Sequence, residues 1–123
     1  MRPLILLSVL AVALYFGWKN ATPPASSLTA AATPTLEELQ AVAATVRADE
    51  VVMYSTTECV YCNQAKGWLR QYGFAFTECN MSIEPRCETE FRAYGATGTP
   101  FLIVRGHQMK EGFDSEEFLT ALR

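Results

Sequence analysis

Cys59-Val60-Tyr61-Cys62 follows the run Val51-Val52-Met53-Tyr54-Ser55-Thr56 and opens an amphipathic stretch. Two thiols separated by two residues, between a predicted strand and a predicted helix, have the local arrangement of a dithiol redox centre. The first falls where unpaired helix N–H groups and the helix dipole favour a thiolate. The second lies one turn inside, within reach of a mixed disulfide formed by the first. That spacing suits thiol–disulfide exchange.

The other two cysteines are Cys79 and Cys87, and four cysteines allow three fully paired connectivities. Cys79 ends the second predicted strand and Cys87 lies near the start of the next predicted helix. Three readings are open for them. A structural disulfide comes first, since closing so short a loop contributes roughly 2–3 kcal/mol where the compartment is oxidising. Cys87 also shares a helix face with Phe91 and Tyr94, as a buried free thiol would. The third reading is a relay that passes electrons to or from Cys59 and Cys62. His107, the lone histidine, falls at a predicted turn and reads as solvent-facing. No residues are assigned as metal ligands.

The elements that must position these groups are legible in the apolar pattern. Thr35-Leu36-Glu37-Glu38 has the form of a capping box, and Leu36, Leu39, Val42, Ala43 and Val46 recur on one face of a short helix. Val51 to Tyr54 reads as a buried strand. Cys62, Ala65, Leu69 and Tyr72 share a helix face that Gly73 terminates. Phe74 to Cys79 alternates as a strand does, with Phe74 and Phe76 on one side. Ser82 or Glu84 begins another helix with Pro85 early in it, and Gly95 ends it. Phe101 to Val104 is a strand, Arg105-Gly106-His107 a turn, and Gln108 to Glu111 the antiparallel partner. Ser115 to Leu122 closes the chain as a helix with Phe118 and Leu122 inward. Two crossovers followed by a hairpin predict a four-stranded mixed sheet with helices on both faces, an α/β three-layer sandwich.

At 123 residues the chain has room for one small domain, and its net charge of −3 comes without a Lys/Arg cluster. A nucleic-acid partner is therefore not expected. Leu4 to Trp18 is continuously apolar or small between Arg2 and Lys19. It reads as an uncleaved signal-anchor in preference to a cleaved signal peptide, because no small-x-small site lies just after Trp18. Fifteen residues make roughly 23 Å of helix against a hydrocarbon core of roughly 30 Å, so such an anchor needs local thinning or snorkelling at its ends. The expected organisation is therefore an anchor or signal at 1–19, a Pro/Ala/Thr-rich linker at 20–34, an accessory helix at 35–48 and the main domain at 49–123. An extracytoplasmic site follows, tethered to the inner membrane and facing the periplasm, or soluble in the periplasm if the signal is cleaved.

Residues 49–123 resemble a glutaredoxin, within the thioredoxin-fold superfamily. The resemblance rests on Tyr54-Ser55-Thr56 ahead of Cys59-x-x-Cys62, on Tyr61 inside the pair, on Thr99-Pro100 before the third strand, and on Gly112-Phe113-Asp114 before the last helix. Haem attachment, another use of CxxC, requires a following histidine, and Asn63 stands there. The resemblance implies that Cys59 attacks and Cys62 resolves, and that the Thr99–Pro100 bond is cis beside them. It implies that Thr99 offers main-chain hydrogen bonds to glutathione or an extended peptide, with Tyr61, Pro100, Phe113 and Asp114 completing the substrate site. There are departures. Thr56 stands where many relatives have a lysine for a glutathione carboxylate, Glu58 precedes the nucleophile, and Val60 replaces the usual proline. Gln64 and Lys66 border the active-site helix, and Lys66 reads as a solvated surface residue.

The function expected is thiol–disulfide oxidoreduction on protein disulfides or glutathione mixed disulfides. No bound cofactor is expected, and glutathione would act as a co-substrate. The rival readings are a cysteine-based metal or iron–sulfur delivery module and a redox-inert interaction domain on the same scaffold.

Overall fold

The computed structural model describes residues 32–123, nearly all within one compact unit, Pro34–Arg123. The expected anchor or signal at 1–19 and most of the expected linker lie outside the described residues. Among the described residues no helix is long and apolar enough to cross a membrane.

The first helix, α1 (Leu36–Ala43), starts at the capping box expected from its sequence. The Thr35 hydroxyl accepts from the Glu38 N–H at 3.2 Å, and the Glu38 carboxylate accepts from the Thr35 N–H at 2.7 Å. A 3₁₀ turn (Ala48–Glu50) leads into β1 (Val51–Ser55), followed by α2 (Val60–Gln71), β2 (Thr77–Asn80), α3 (Pro85–Ala93), β3 (Phe101–Val104), β4 (His107–Met109) and α4 (Ser115–Ala121). The strands lie in the order β2-β1-β3-β4. Strand β2 runs parallel to β1, and the other two neighbouring pairs are antiparallel. The expected four-stranded mixed sheet is present. One element of its topology differs: only the β1–α2–β2 connection joins parallel strands. The α3 connection returns the chain past β1 to its other side, where β3 runs antiparallel.

The pleat sorts side chains between two cores. Val51, Met53, Leu102 and Val104 point to one face, where Ala65 and Leu69 of α2, Phe118 of α4 and Ala43 of α1 bury them. Tyr54 and Phe101, with Val52 and Ile103 at the margin, point to the other face and meet Cys87 and Phe91 of α3. Helices therefore cover both faces, and the continuously apolar runs 51–54 and 101–104 read as they do because both faces are dry.

Several boundaries shift for local reasons. Phe74 lies in the cap of α2, outside β2. With Gly73 at φ +78°, Phe74 N–H bonds the Leu69 carbonyl at 2.8 Å and Gly73 N–H bonds the Arg70 carbonyl at 3.2 Å, a Schellman motif that buries the Phe74 ring. The hairpin turn is two residues, Arg105 and Gly106, both with positive φ, as the right-handed twist of the paired strands favours. His107 consequently enters β4, and β4 stops at Met109. His107 remains exposed, as expected, with Nε2 2.9 Å from Glu117 Oε1. Leu36, Val42 and Tyr94, expected on core faces, are exposed. The first two lie on α1, whose burial passes through Leu39 and Ala43, and Tyr94 lies at the end of α3 with its ring against Tyr54 and Phe101.

Candidate active site

Cys59 is the N-cap of α2, in extended conformation, and its sulfur accepts from the Cys62 N–H at 3.1 Å. The two sulfurs are bonded, with Cα atoms 5.2 Å apart. Cys62 is fully buried and Cys59 retains 8% exposure, so Cys59 is the member of the pair nearer the surface. A helix of twelve residues directs its unpaired N–H groups and positive dipole end at that sulfur. When the bond is reduced, both features favour a thiolate at Cys59.

Beside the pair lies an open cleft of about 500 Å³, walled by Tyr61 and Gln64 of α2, by the segment Thr97 to Pro100, and by Lys110 to Phe113. The Thr99–Pro100 bond is cis. Phe113 is held in the wall by tilted ring contacts to Trp68 (5.3 Å between centroids) and Phe118 (5.7 Å). Gly112 turns there at φ +96°, a conformation that suits glycine. The structure thus brings Tyr61, Thr99, Pro100 and Phe113 to one cleft. Asp114 sits just beyond it as the N-cap of α4, its Oδ1 accepting from the Glu117 N–H at 2.9 Å.

Lys66 departs from the expected solvated residue. Its ammonium is 2.9 Å from a Glu78 oxygen, with only 16% of the side chain exposed, so it ties α2 to β2. Thr56 does not line the main cleft. It lines a smaller one with Met81, Ser82, Glu88, Phe91 and Arg92.

The residues missed in the sequence are those without a motif. Lys110 and Glu111 enter the cleft wall because the short hairpin ends at Met109. Trp68 is the hub of an aromatic group joining Tyr72, Phe74, Phe113 and Phe118, and only its i, i+4 spacing to Tyr72 could have pointed to it. Ser55, at the end of β1, is fully buried, and its hydroxyl has no hydrogen-bond partner among the described residues.

A second disulfide joins Cys79 to Cys87, with Cα atoms 5.4 Å apart. Both residues are buried in the smaller core beside Tyr54 and Phe101. Next to them the Tyr54 hydroxyl donates to Glu90 Oε2 at 2.8 Å, and Arg86 bonds the other Glu90 oxygen at 2.8 Å. These two donors hold the Glu90 carboxyl below its ordinary range. Burial first, and then the bond to Glu90 and its charge, push the Tyr54 phenol well above its own. All four cysteines are disulfide-bonded, and among the described residues no group of three or more His, Cys, Asp or Glu side chains is placed to hold a metal ion.

Residues 51–109 match the glutaredoxin family model. Among solved structures, the thioredoxin-like protein BC3987 superposes with a TM-score of 0.52 at 19% identity, over 58% of this chain and 97% of that one. A mutant of the same protein gives 0.53 at 20% identity, over 59% and 99%. The holo form of glutaredoxin C1 from Populus tremula x tremuloides is 23% identical over 71% of this chain and 93% of that one, with a TM-score of 0.49. No curated protein matches the chain. The chain therefore has a thioredoxin-like α/β fold, and the part of it that holds the CxxC pair matches the glutaredoxin family model.

Proposed function

We propose that this protein is a thiol–disulfide oxidoreductase acting through Cys59 and Cys62 on protein disulfides or glutathione mixed disulfides. The observation that carries the reading is the bonded pair at the N-terminus of α2, with Cys59 partly exposed and Cys62 fully buried, beside a cleft that Thr99 and Pro100 border. In the reduced protein the Cys59 thiolate attacks one sulfur of the substrate disulfide. That bond breaks, the departing sulfur takes a proton, and Cys59 is left in a mixed disulfide. The Cys62 thiol then loses its proton and attacks the Cys59 sulfur, which releases the second substrate thiol. Two electrons and two protons have passed to the substrate, and the pair is again a disulfide. Glutathione or a dithiol donor resets it. Run in reverse, the oxidised pair introduces a disulfide, and the direction follows the difference in potential between the partners.

In this reading the Thr99 main chain pairs with the backbone of an extended peptide or of glutathione, Tyr61, Pro100 and Phe113 wall the site, and Asp114 orients its far end. The domain works outside the cytoplasm, tethered to the inner membrane through residues 4–18 and facing the periplasm, or soluble there after cleavage. The apolar run Leu4 to Trp18 and the two disulfides support that location.

Substitution of the two active cysteines tests the mechanism. Cys59→Ser abolishes turnover of both substrate types. Cys62→Ser keeps glutathione-dependent turnover and accumulates mixed disulfides with protein substrates, visible on non-reducing gels. Full activity in Cys59→Ser overturns the proposal.

A further inference from the structure

We infer that the Ser55 hydroxyl is the hydrogen-bond partner of the reduced Cys62 sulfur and eases the resolving step. The inference rests on the exchange activity proposed above and adds a residue to its second half. Ser55 is fully buried, and its hydroxyl has no partner among the described residues while the two active cysteines are bonded. Leaving a buried hydroxyl unpaired is costly, so a state of the molecule that pairs it is favoured over one that does not. The active pair supplies such a second state when its bond opens.

The topology puts Ser55 and Cys62 at the same end of one layer. Val51 and Met53 point to the core that Ala65 and Leu69 of α2 cover, and Ser55, two residues on, falls on the same face of β1. Cys62, Ala65 and Leu69 are the buried residues of α2, on one helical face at i, i+3 and i+7. Because β1 and β2 are parallel, with Ser55 beside Asn80 and Val52 beside Thr77, α2 must carry the chain back from the Ser55 end of the sheet to its start. Its first turn, which holds Cys62, therefore lies over the end of β1, with only residues 56–59 between the two elements. Both groups are fully buried there. The two sulfurs differ in what they are given. The Cys59 sulfur accepts from the Cys62 N–H at 3.1 Å, whereas no donor among the described residues reaches the Cys62 sulfur.

In the oxidised protein the Cys62 sulfur has no proton to give and no charge to satisfy. Reduction changes both. As a thiol, Cys62 donates its S–H to the Ser55 oxygen; as a thiolate, it accepts from the same hydroxyl, which turns about its C–O bond to suit. Forming a thiolate in an interior closed to water is unfavourable without such a donor. In the resolving step Cys62 loses its proton and forms the bond to the Cys59 sulfur. The bond from Cys59 to the substrate sulfur breaks, its electron pair leaves on that sulfur, and the proton ends there. Ser55 keeps its own proton throughout and donates to the Cys62 sulfur while that sulfur carries the charge. As the bond between Cys59 and Cys62 closes, the hydroxyl loses its partner again, so Ser55 favours the reduced pair over the bonded one.

The test compares the full-length wild type with Ser55→Ala, each equilibrated in graded mixtures of reduced and oxidised glutathione, quenched, alkylated and measured by mass. Ser55→Ala is expected to shift the ratio of bonded to reduced pair about fivefold toward bonded, the factor for one net hydrogen bond. That corresponds to a potential lower by about 20 mV. In single turnover with a protein disulfide, the mixed disulfide at Cys59 is expected to decay about fivefold more slowly relative to its formation. Ser55→Thr keeps a hydroxyl on a strand, where β-branched residues are at home, and is expected to restore both readouts in part. A hydroxyl that merely fills space, or one that a buried water satisfies, affects both redox forms alike. An unmoved potential in folded Ser55→Ala therefore overturns the inference, as does a potential that rises or a resolving step as fast as that of wild type. Those results leave the exchange activity standing. If wild-type Cys59 forms no mixed disulfide at all, the exchange activity itself is wrong and the inference falls with it.

Discussion

Ser55 and Tyr54 are neighbours on β1 with opposite circumstances. The Ser55 hydroxyl is sealed in the interior with no partner among the described residues, and a buried polar group in that state costs about 1–3 kcal/mol. Ser55→Ala is therefore expected to stabilise the oxidised protein by about 1 kcal/mol, read as a rise in urea midpoint at unchanged slope. Tyr54, one residue earlier, points into the opposite core and donates to Glu90. Its phenol is held neutral above the ordinary value of 10.0, so its contribution to stability is complete below that pH and is lost as the pH rises further. Glu90 behaves in the opposite sense. Its carboxyl is depressed below the ordinary 4.5, chiefly by the Tyr54 bond and next by Arg86, so its contribution is present above pH 4.5 and is lost as the pH falls through the lowered value. Tyr54→Phe is expected to flatten the alkaline limb of the stability profile and to weaken the acid limb. Urea midpoints measured from acid to alkaline pH check both limbs in one series.

At the scale of elements, the connections carry as much of the architecture as the strands. The disulfide between Cys79 and Cys87 ties the end of β2 to the first turn of α3, on the far side of the sheet from α2. Removing it as Cys79→Ala/Cys87→Ala is expected to cost roughly 2–3 kcal/mol in denaturant unfolding and to leave exchange at Cys59 intact, since Cys79 and Cys87 are buried in the smaller core. Loss of exchange in a variant that remains folded would instead show that the buried pair takes part in the chemistry. The β3–β4 turn is tied down in a comparable way. Arg105 sits at φ 47°, which most side chains avoid, but its guanidinium bonds the Leu122 carbonyl at 2.6 Å and the Thr45 carbonyl at 3.2 Å. One side chain thereby holds the hairpin, the end of α4 and the segment after α1 together.

For the molecule as a whole, the two disulfides differ in access. Cys59 reaches the surface, whereas Cys79 and Cys87 lie inside an apolar core. Thiol exchange requires the attacking sulfur to approach along the S–S axis, so a mild dithiol should reduce the first bond in the folded protein and leave the second. Alkylation followed by mass measurement is expected to label two cysteines under native conditions and four in denaturant. Four labels without denaturant would mean that the smaller core opens readily.

Much of this molecule was legible in the residue pattern. The spacing of Cys59 and Cys62, the capping box at Thr35, the apolar runs of β1 and β3 and the order of the elements follow from rules acting within a few residues, and local geometry obeys those rules. The antiparallel setting of β3, the cap that takes Phe74 out of β2, the pairing of Lys66 with Glu78 and the entry of Lys110 and Glu111 into the cleft were not legible. Each depends on which distant segment lies opposite, and no local periodicity encodes that. The sequence by itself determined that a dithiol stands at the start of a helix. Only the tertiary structure decided which sulfur is reachable and which charges surround it, because burial and electrostatic environment belong to the packed chain.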